Sequence, residues 1–301
     1  MLLLLMMACQ EPTPIEVAWP SDGCASEHRP QRGHTLVAAE SHTLVADDGV
    51  ELAAGILRPV GGGCWPGVVY VPPGFEPGRQ EWDDAASAVI AGAGVVIAVY
   101  DPRGRGDSGG EEDYGGARQQ DDLAAVASWL ASRDDVDPTR VLIRSRSFGV
   151  VHAAGALERH PEVAAFGLVD IEGPGLLPED LDYASEFARD SLYEVADGDS
   201  WWEERSPAQH LESFSGHYRR VQALQDHQLG AYMGAARVML EVASRESPEP
   251  VDLNGLTPAD SALYESSAEA IWPYDMVAEL ALEGRVKYDD ERALDLLIDM
   301  F

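Results

Sequence analysis

Apolar residues in this chain come in short runs separated by amphipathic stretches, and the two kinds alternate. His42–Val45 and Val50–Leu57 are strand-like on either side of Asp47, Asp48 and Gly49, a sequence that predicts a hairpin turn. Pro66–Val71 is a continuous apolar run ending in Pro72, Pro73, Gly74 and Phe75, and Gly94–Tyr100 is another. Both predict strands covered on two faces. Between them, Gln80–Ala93 sets Trp82, Ala85, Ala88, Val89 and Ile90 along one side of a helix. Gln119–Ser132 repeats the pattern with Leu123, Val126, Trp129 and Leu130. Val141–Arg144 and Val163–Ile171 predict two further strands, flanking a helix that starts at Phe148 and closes before His160 and Pro161. A hairpin followed by β–α alternation predicts an α/β fold: a mostly parallel central sheet with helices on both faces.

The alternation stops at Leu176. Residues 176–217 are acidic, with helical stretches over 178–182, 184–195 and 200–205. An insertion there, between the sixth and seventh strands, predicts a lid over the strand ends, with Trp201 and Trp202 either packing it to the body or lining a pocket. Arg219–Leu224 resumes the sheet and ends in Gln225, Asp226, His227 and Gln228. A helix over 229–244, a short last strand over 250–253 and helices over 257–271 and 289–301 complete the pattern.

Charge narrows the partners. The 301 residues include 53 acidic and 21 basic ones, a formal charge of −32. Such a field repels phosphate backbones, so nucleic acid is excluded as a partner and the excess reads as a solvated acidic surface. The first eight residues are apolar and end in Ala8, and Cys9 follows. This resembles the end of a bacterial lipoprotein signal, although no basic residue precedes Arg29. The run is too short to span a bilayer. The organisation expected is a signal segment over 1–8, a flexible tether over 9–34 and one domain over 35–301. The protein would be exported and held to a membrane only through a lipid on Cys9; without a signal it would be cytoplasmic. Cys24 and Cys64 either close a disulfide in an oxidising compartment or are unrelated thiols.

The chemistry centres on Ser145-x-Ser147-x-Gly149, which lies between an apolar strand and a helix of small residues. A serine at such a strand-to-helix turn presents its hydroxyl at the edge of the sheet, and Ser145 stands where this nucleophile elbow usually has glycine. Ser147 is the candidate nucleophile. The amide of Phe148 and those of Gly74 and Phe75, at the end of the third strand, are candidates for an oxyanion hole. Asp170 and Glu172 lie at the end of the sixth strand, and Asp226 and His227 at the end of the seventh. Gly104–Gly109 matches G-x-G-x-x-G, but no apolar helix opens there, so no dinucleotide site is expected. Asp197, Asp199 and Glu203 do not have calcium-loop spacing, and neither H-E-x-x-H nor C-x-x-C occurs. No metal and no cofactor is expected.

With these motifs in this order, residues 40–255 resemble the α/β-hydrolase superfamily. Asp101-Pro-Arg103-Gly-Arg105-Gly-Asp107-Ser108 is similar to the D-x-R-G-x-G-x-S loop of its dienelactone-hydrolase and dipeptidyl-peptidase/cocaine-esterase branches. The resemblance implies that Ser147 forms an acyl-enzyme, that Asp226 is the triad acid and that no cofactor takes part. One departure matters: the superfamily places its histidine after the last strand, and no histidine follows His227 here. The base is therefore sought first at His227, oriented by Asp226, Asp170 or Glu172, and then at His217, His210 or His152. Two readings result. One is a serine hydrolase acting on an ester or similar acyl bond, with amide bonds within reach. The other is a binding or surface protein that keeps the fold without catalysis.

Overall fold

The computed structural model describes residues 12–21, 23–25, 27–30, 37–79, 85–178, 186–221, 234–243 and 252–253. Its strands are β1 (Thr13–Pro14), β2 (Val37–Val45), β3 (Glu51–Pro59), β4 (Trp65–Val71), β5 (Val96–Tyr100), β6 (Val136–Arg146), β7 (Gly167–Ile171), β8 (His217–Val221) and β9 (Asp252–Leu253). They form one sheet in the order β1-β2-β3-β5-β4-β6-β7-β8-β9. The β2–β3 and β3–β5 pairs are antiparallel, and every pair from β5 to β9 is parallel. The expected hairpin is present, with Gly49 at φ 85 and its amide donating to Ala46 O at 2.9 Å.

Side chains alternate across the sheet, as the period of two requires. Val69, Val71, Ala98, Tyr100, Val141, Ile143 and Leu168 pack on one face with α2 (Ala117–Ala131), α3 (Gly149–Arg159) and α7 (Gly234–Ala243). Val68, Tyr70, Ile97, Val99, Leu142 and Val169 pack on the other with α1 (Ala85–Gly92). Both faces are thus covered, which is why these strands read as unbroken apolar runs. Burial of each large core side chain contributes roughly 1.5–3 kcal/mol.

Residues 9–34 depart from the tether expected of them wherever they are described. Thr13 and Pro14 pair in parallel with Leu44 and Val45, and Ile15 is 5% exposed in the core. Trp19 Nε1 donates to Pro138 O at 3.2 Å, Arg140 Nη1 donates to His28 O at 2.7 Å, and Cys24 is disulfide-bonded to Cys64. The apolar Ile15 and Trp19 find partners on the sheet, so this segment is a strap and the folded unit begins before residue 35. Pro138 and Cys64 lie at the amino ends of β6 and β4. The strap therefore meets the sheet at the carboxyl end of the outer strand β2 and then at the amino ends of β6 and β4.

Between β7 and β8 the chain forms α4 (Glu186–Val195), α5 (Asp199–Glu203), α6 (Pro207–His210) and a 3-10 turn (Leu211–Ser213). The helices expected over 257–271 and 289–301 lie outside the described residues.

Candidate active site

Ser147 follows β6 at the carboxyl edge, part-exposed, with φ 48. Left-handed backbone is costly for a residue with a Cβ and persists only where the surroundings impose it. Here the Ser147 amide donates to Ile171 O at 2.7 Å, and Val150 N donates to Ser147 O at 3.2 Å. Gly149 is required by contact: a Cβ there would lie 2.6 Å from Pro72 O and 3.0 Å from Val71 O. That closeness brings the first turn of α3 against the end of β4. Ser145, in the place of the usual first glycine, is fully buried within β6 and raises no conflict with this geometry.

The closeness also brings together the two predicted oxyanion segments. The rings of Phe75 and Phe148 meet edge to face with centroids 5.7 Å apart. Among the described residues, neither the Phe75 amide nor the Phe148 amide donates a hydrogen bond. An undonated amide directly after a strained serine, with a second on a residue whose ring packs against Phe148, suits an oxyanion hole. Gly74 takes φ 50 between them and β4.

The glycine-rich loop after β5 supports this edge. Asp101 accepts from the amides of Arg79 at 2.8 Å and Asp107 at 3.0 Å. Arg103 donates to both oxygens of Asp122, at 2.6 and 2.7 Å, and to Asp48 at 2.7 Å. Arg105 donates to the Gly74 carbonyl at 2.8 Å.

The sixth-strand carboxylates have different surroundings. Asp170 is wholly buried; its Oδ2 accepts from Arg220 Nη1 at 2.5 Å and Tyr218 OH at 2.7 Å, and its Oδ1 from the Gly173 amide at 3.0 Å. Burial, with the Asp170 charge next, holds the Tyr218 phenol well above its ordinary range. Asp170 is thus committed to a clamp within the sheet and is withdrawn as an orienter of the base. Glu172 is buried one residue beyond β7, with φ 55. The clamp was missed from sequence; the signal was two adjacent arginines, Arg219 and Arg220, in a strand that needs a buried anionic partner.

The histidines sort by position. His217 begins β8 opposite Gly167, with its ring on Phe166 at 4.5 Å. That is the amino edge, about 13 Å from the elbow end at 3.3 Å per residue, so His217 is removed as a base. His210 is also removed: its Nδ1 meets Glu158 and its Nε2 lies 2.8 Å from Glu204 O. His152 lies beneath the elbow, its ring 6.4 Å from that of Phe148, fully buried and with no hydrogen bond from either ring nitrogen among the described residues. Burial, reinforced by the charges of Arg105 and Arg205, depresses its pKa well below the ordinary imidazole value. It makes no bond to Ser147. Asp226 and His227 lie outside the described residues; β8 ends at Val221 opposite Ile171, at the elbow's edge of the sheet.

The insertion packs onto this edge. Trp202, Leu192 and Leu177 cluster with Phe148 and Val151, and Phe75, Tyr114 and Trp201 pack against them. Of the two expectations for the tryptophans, packing to the body describes Trp202, which is 8% exposed. Arg205 fastens the insertion: it donates to Asp113 O at 2.9 Å, Tyr114 O at 3.1 Å and Trp201 O at 3.0 Å, and lies 3.9 Å over the Trp201 ring. No cluster of metal-ligating side chains occurs among the described residues.

A parallel sheet led by an antiparallel pair, with a left-handed serine between β6 and α3, is the α/β-hydrolase fold. Residues 48–168, from the hairpin into β7, match the model of the X-Pro dipeptidyl-peptidase (S15) family. Among solved structures, the puromycin-hydrolyzing peptidase of Mycobacterium tuberculosis is similar at 18% identity and TM-score 0.61, over 71% of this chain and 34% of that one. Dipeptidyl peptidase 4 of Porphyromonas gingivalis is similar at 19% identity and TM-score 0.57, over 72% and 31%. Prolyl oligopeptidase B of Galerina marginata is similar at 15% identity and TM-score 0.58, over 87% and 37%. This chain therefore spans about a third of the length of these proteins. No curated protein matches it.

Proposed function

We propose that this protein is a serine hydrolase that cleaves an ester or peptide-type acyl bond through an acyl-enzyme on Ser147. The observation that carries the reading is the left-handed Ser147 at the carboxyl edge, followed by Phe148 with Phe75 packed on its ring, the amides of both donating to nothing described. In the reaction His227 takes the Ser147 proton as Oγ bonds to the substrate carbonyl carbon. The carbonyl electron pair moves onto oxygen, held by the two amides. Collapse of this intermediate expels the leaving group, which takes the proton from His227, and water then repeats the sequence to free the acid. Asp226 orients His227. The likeness of residues 48–168 to the X-Pro dipeptidyl-peptidase model supports a peptide among the substrates. The insertion, set against Phe148, serves as the lid that shapes the acyl pocket.

The same reading places the protein outside the cytoplasm, anchored through a lipid on Cys9. The apolar run before Cys9 supports this, and so does the Cys24–Cys64 disulfide, a bond favoured in oxidising compartments.

Labelling with a fluorophosphonate tests the reading. Covalent labelling of the wild type, lost in Ser147→Ala, is expected, together with hydrolysis of a short-chain ester that is lost in His227→Ala and retained in His217→Ala. A folded wild type that neither labels nor turns over substrate overturns it in favour of a fold kept for binding.

A further inference from the structure

Building on the acyl-transfer reading, we infer that Arg105, held by Glu112, is a positioning residue that sets the direction of the Gly74–Phe75 peptide and so presents the Phe75 amide to the oxyanion. In a trans peptide the carbonyl and the following N–H point in opposite directions. Fixing the Gly74 oxygen therefore fixes the Phe75 N–H. The Phe75 ring packs against Tyr114 and Phe148, but at Gly74 nothing lies within 4 Å of where a Cβ would sit, and glycine accepts either sign of φ. Two hydrogen bonds fix the direction of the peptide. One is the turn bond from Glu76 N to Pro73 O at 3.2 Å, and the other is Arg105 Nη1 to Gly74 O at 2.8 Å.

Arg105 is itself immobilised. Its Nε and Nη2 donate to the two oxygens of Glu112 at 2.5 and 2.9 Å, the fork geometry that suits guanidinium and carboxylate. Glu112 also accepts from the Tyr114 amide at 2.7 Å and Gln119 Nε2 at 2.8 Å, which ties the pair to the first turn of α2. The guanidinium lies 5.6 Å from the Phe75 ring centroid and its side chain is 2% exposed. So Arg105 does not reach a substrate; its reach is to the far side of the peptide whose N–H is on offer. A cation on the carbonyl also polarises that peptide and strengthens its N–H as a donor. The chain of support runs from α2 through Glu112 and Arg105 to the Gly74 oxygen and the Phe75 amide. The arginine between the two glycines of the loop thus acts on the oxyanion segment of another strand.

Arg105→Met alone leaves the Glu112 charge without its cation, so the test uses the double variant R105M/E112Q, with R105K and E112Q beside it. Each is assayed for folding by thermal melting, for kcat and KM on an ester, and for turnover of the matching thionoester. Removing one oxyanion donor costs about 10²–10³ in kcat. A freed rather than deleted donor should therefore lower kcat at least about tenfold in R105M/E112Q, with KM changed less than about twofold. The ester-to-thionoester rate ratio should fall with it, because sulfur is the poorer acceptor and a working hole penalises it. R105K, which keeps a donor for Gly74 O, should recover part of both effects. E112Q, which weakens the hold on Arg105 but leaves its bond to Gly74 O, should lower kcat and the ratio by less than R105M/E112Q does. A folded R105M/E112Q with unchanged kcat and ratio overturns the inference while the hydrolase reading stands. A wild type without Ser147 labelling or turnover overturns both.

Discussion

Arg220 and Asp170 face each other across β8 and β7, in register and wholly buried, with Nη1 donating to Oδ2 at 2.5 Å. The other end of the same guanidinium donates to Gly173 O at 2.7 Å. The pair thereby pins the corner at 171–173, whose Ile171 carbonyl receives the Ser147 amide. A cation placed for charge balance in the sheet also holds the elbow in shape, two strands away from it.

Breaking such a pair from one side leaves a buried charge uncompensated, which costs about 3–5 kcal/mol. Asp170→Asn and Arg220→Met should each lower stability by that order in urea unfolding. The double variant Asp170→Leu with Arg220→Met should lose less than the sum of the two. Folded Asp170→Asn keeps an oxygen that can accept from Arg220, so the corner under the elbow should loosen only partly and kcat should fall a few-fold at most. Asp226→Asn, by contrast, should lose kcat by a factor of about 10⁴, the scale seen when a triad acid is neutralised.

Gly149 carries a different constraint. A methyl group there meets two backbone oxygens, Pro72 O and Val71 O, and neither is the movable end of a side chain. Gly149→Ala should cost about 1–3 kcal/mol through overpacking and push α3 away from β4. Because that contact sets the spacing of the two oxyanion segments, ester kcat should fall in the same variant. A fluorophosphonate labelling rate, measured beside a thermal melt, checks both effects.

The parts of this architecture that lie in central parallel strands were legible in the amino-acid order. β4 and β5 are apolar on both faces, so their runs are continuous, and Ser147 stands out against the glycine and small residues around it. Three features were harder to read. β6 begins at Val136, five residues before its apolar run, because Asp137–Arg140 fall within a register shift between Trp65 and Gly67 on β4. β2 extends back to Val37 through Ala38, Ala39 and Glu40, which have weak strand preference and are held by β3. The strap owes its place to Trp19, Ile15 and one disulfide, none of which has a periodic signature. Arg105 and Arg220 appear in the sequence only as polar residues, since their roles depend on carboxylates and carbonyls brought near by the fold.

The Cys24–Cys64 bond closes a loop with a sequence separation of 40. Chain entropy over a loop of that size corresponds to about 4 kcal/mol. Reduction should therefore lower the melting temperature by roughly 10 °C, and the Cys24→Ser, Cys64→Ser double variant should melt with the reduced wild type. Ester turnover at low temperature should not change, because the disulfide sits at the amino edge of β4 and the elbow at the carboxyl edge of β6.

His152 gives the acid side of the stability profile a specific source. The ring is fully buried with both nitrogens unbonded among the described residues, and burial followed by Arg105 and Arg205 lowers its pKa well below 6.5. The unfolded chain then binds a proton at this residue near pH 6.5 while the folded chain does not. Unfolding takes up a proton between the folded pKa and 6.5, so stability falls as pH drops through that window, by up to about 1.4 kcal/mol per pH unit. Above it the residue contributes no slope. His152→Met fills similar volume without a buried polar atom to leave unpaired, so it should match or exceed the wild type in stability at pH 7.5. The difference between the two should widen at pH 5.5, because the variant lacks this proton uptake while other titrating groups are common to both. Urea unfolding at the two pH values reads the difference directly. Retained ester turnover in the same variant would separate this buried imidazole from the proton shuttle assigned to His227, and lost turnover in a folded variant would reassign that role.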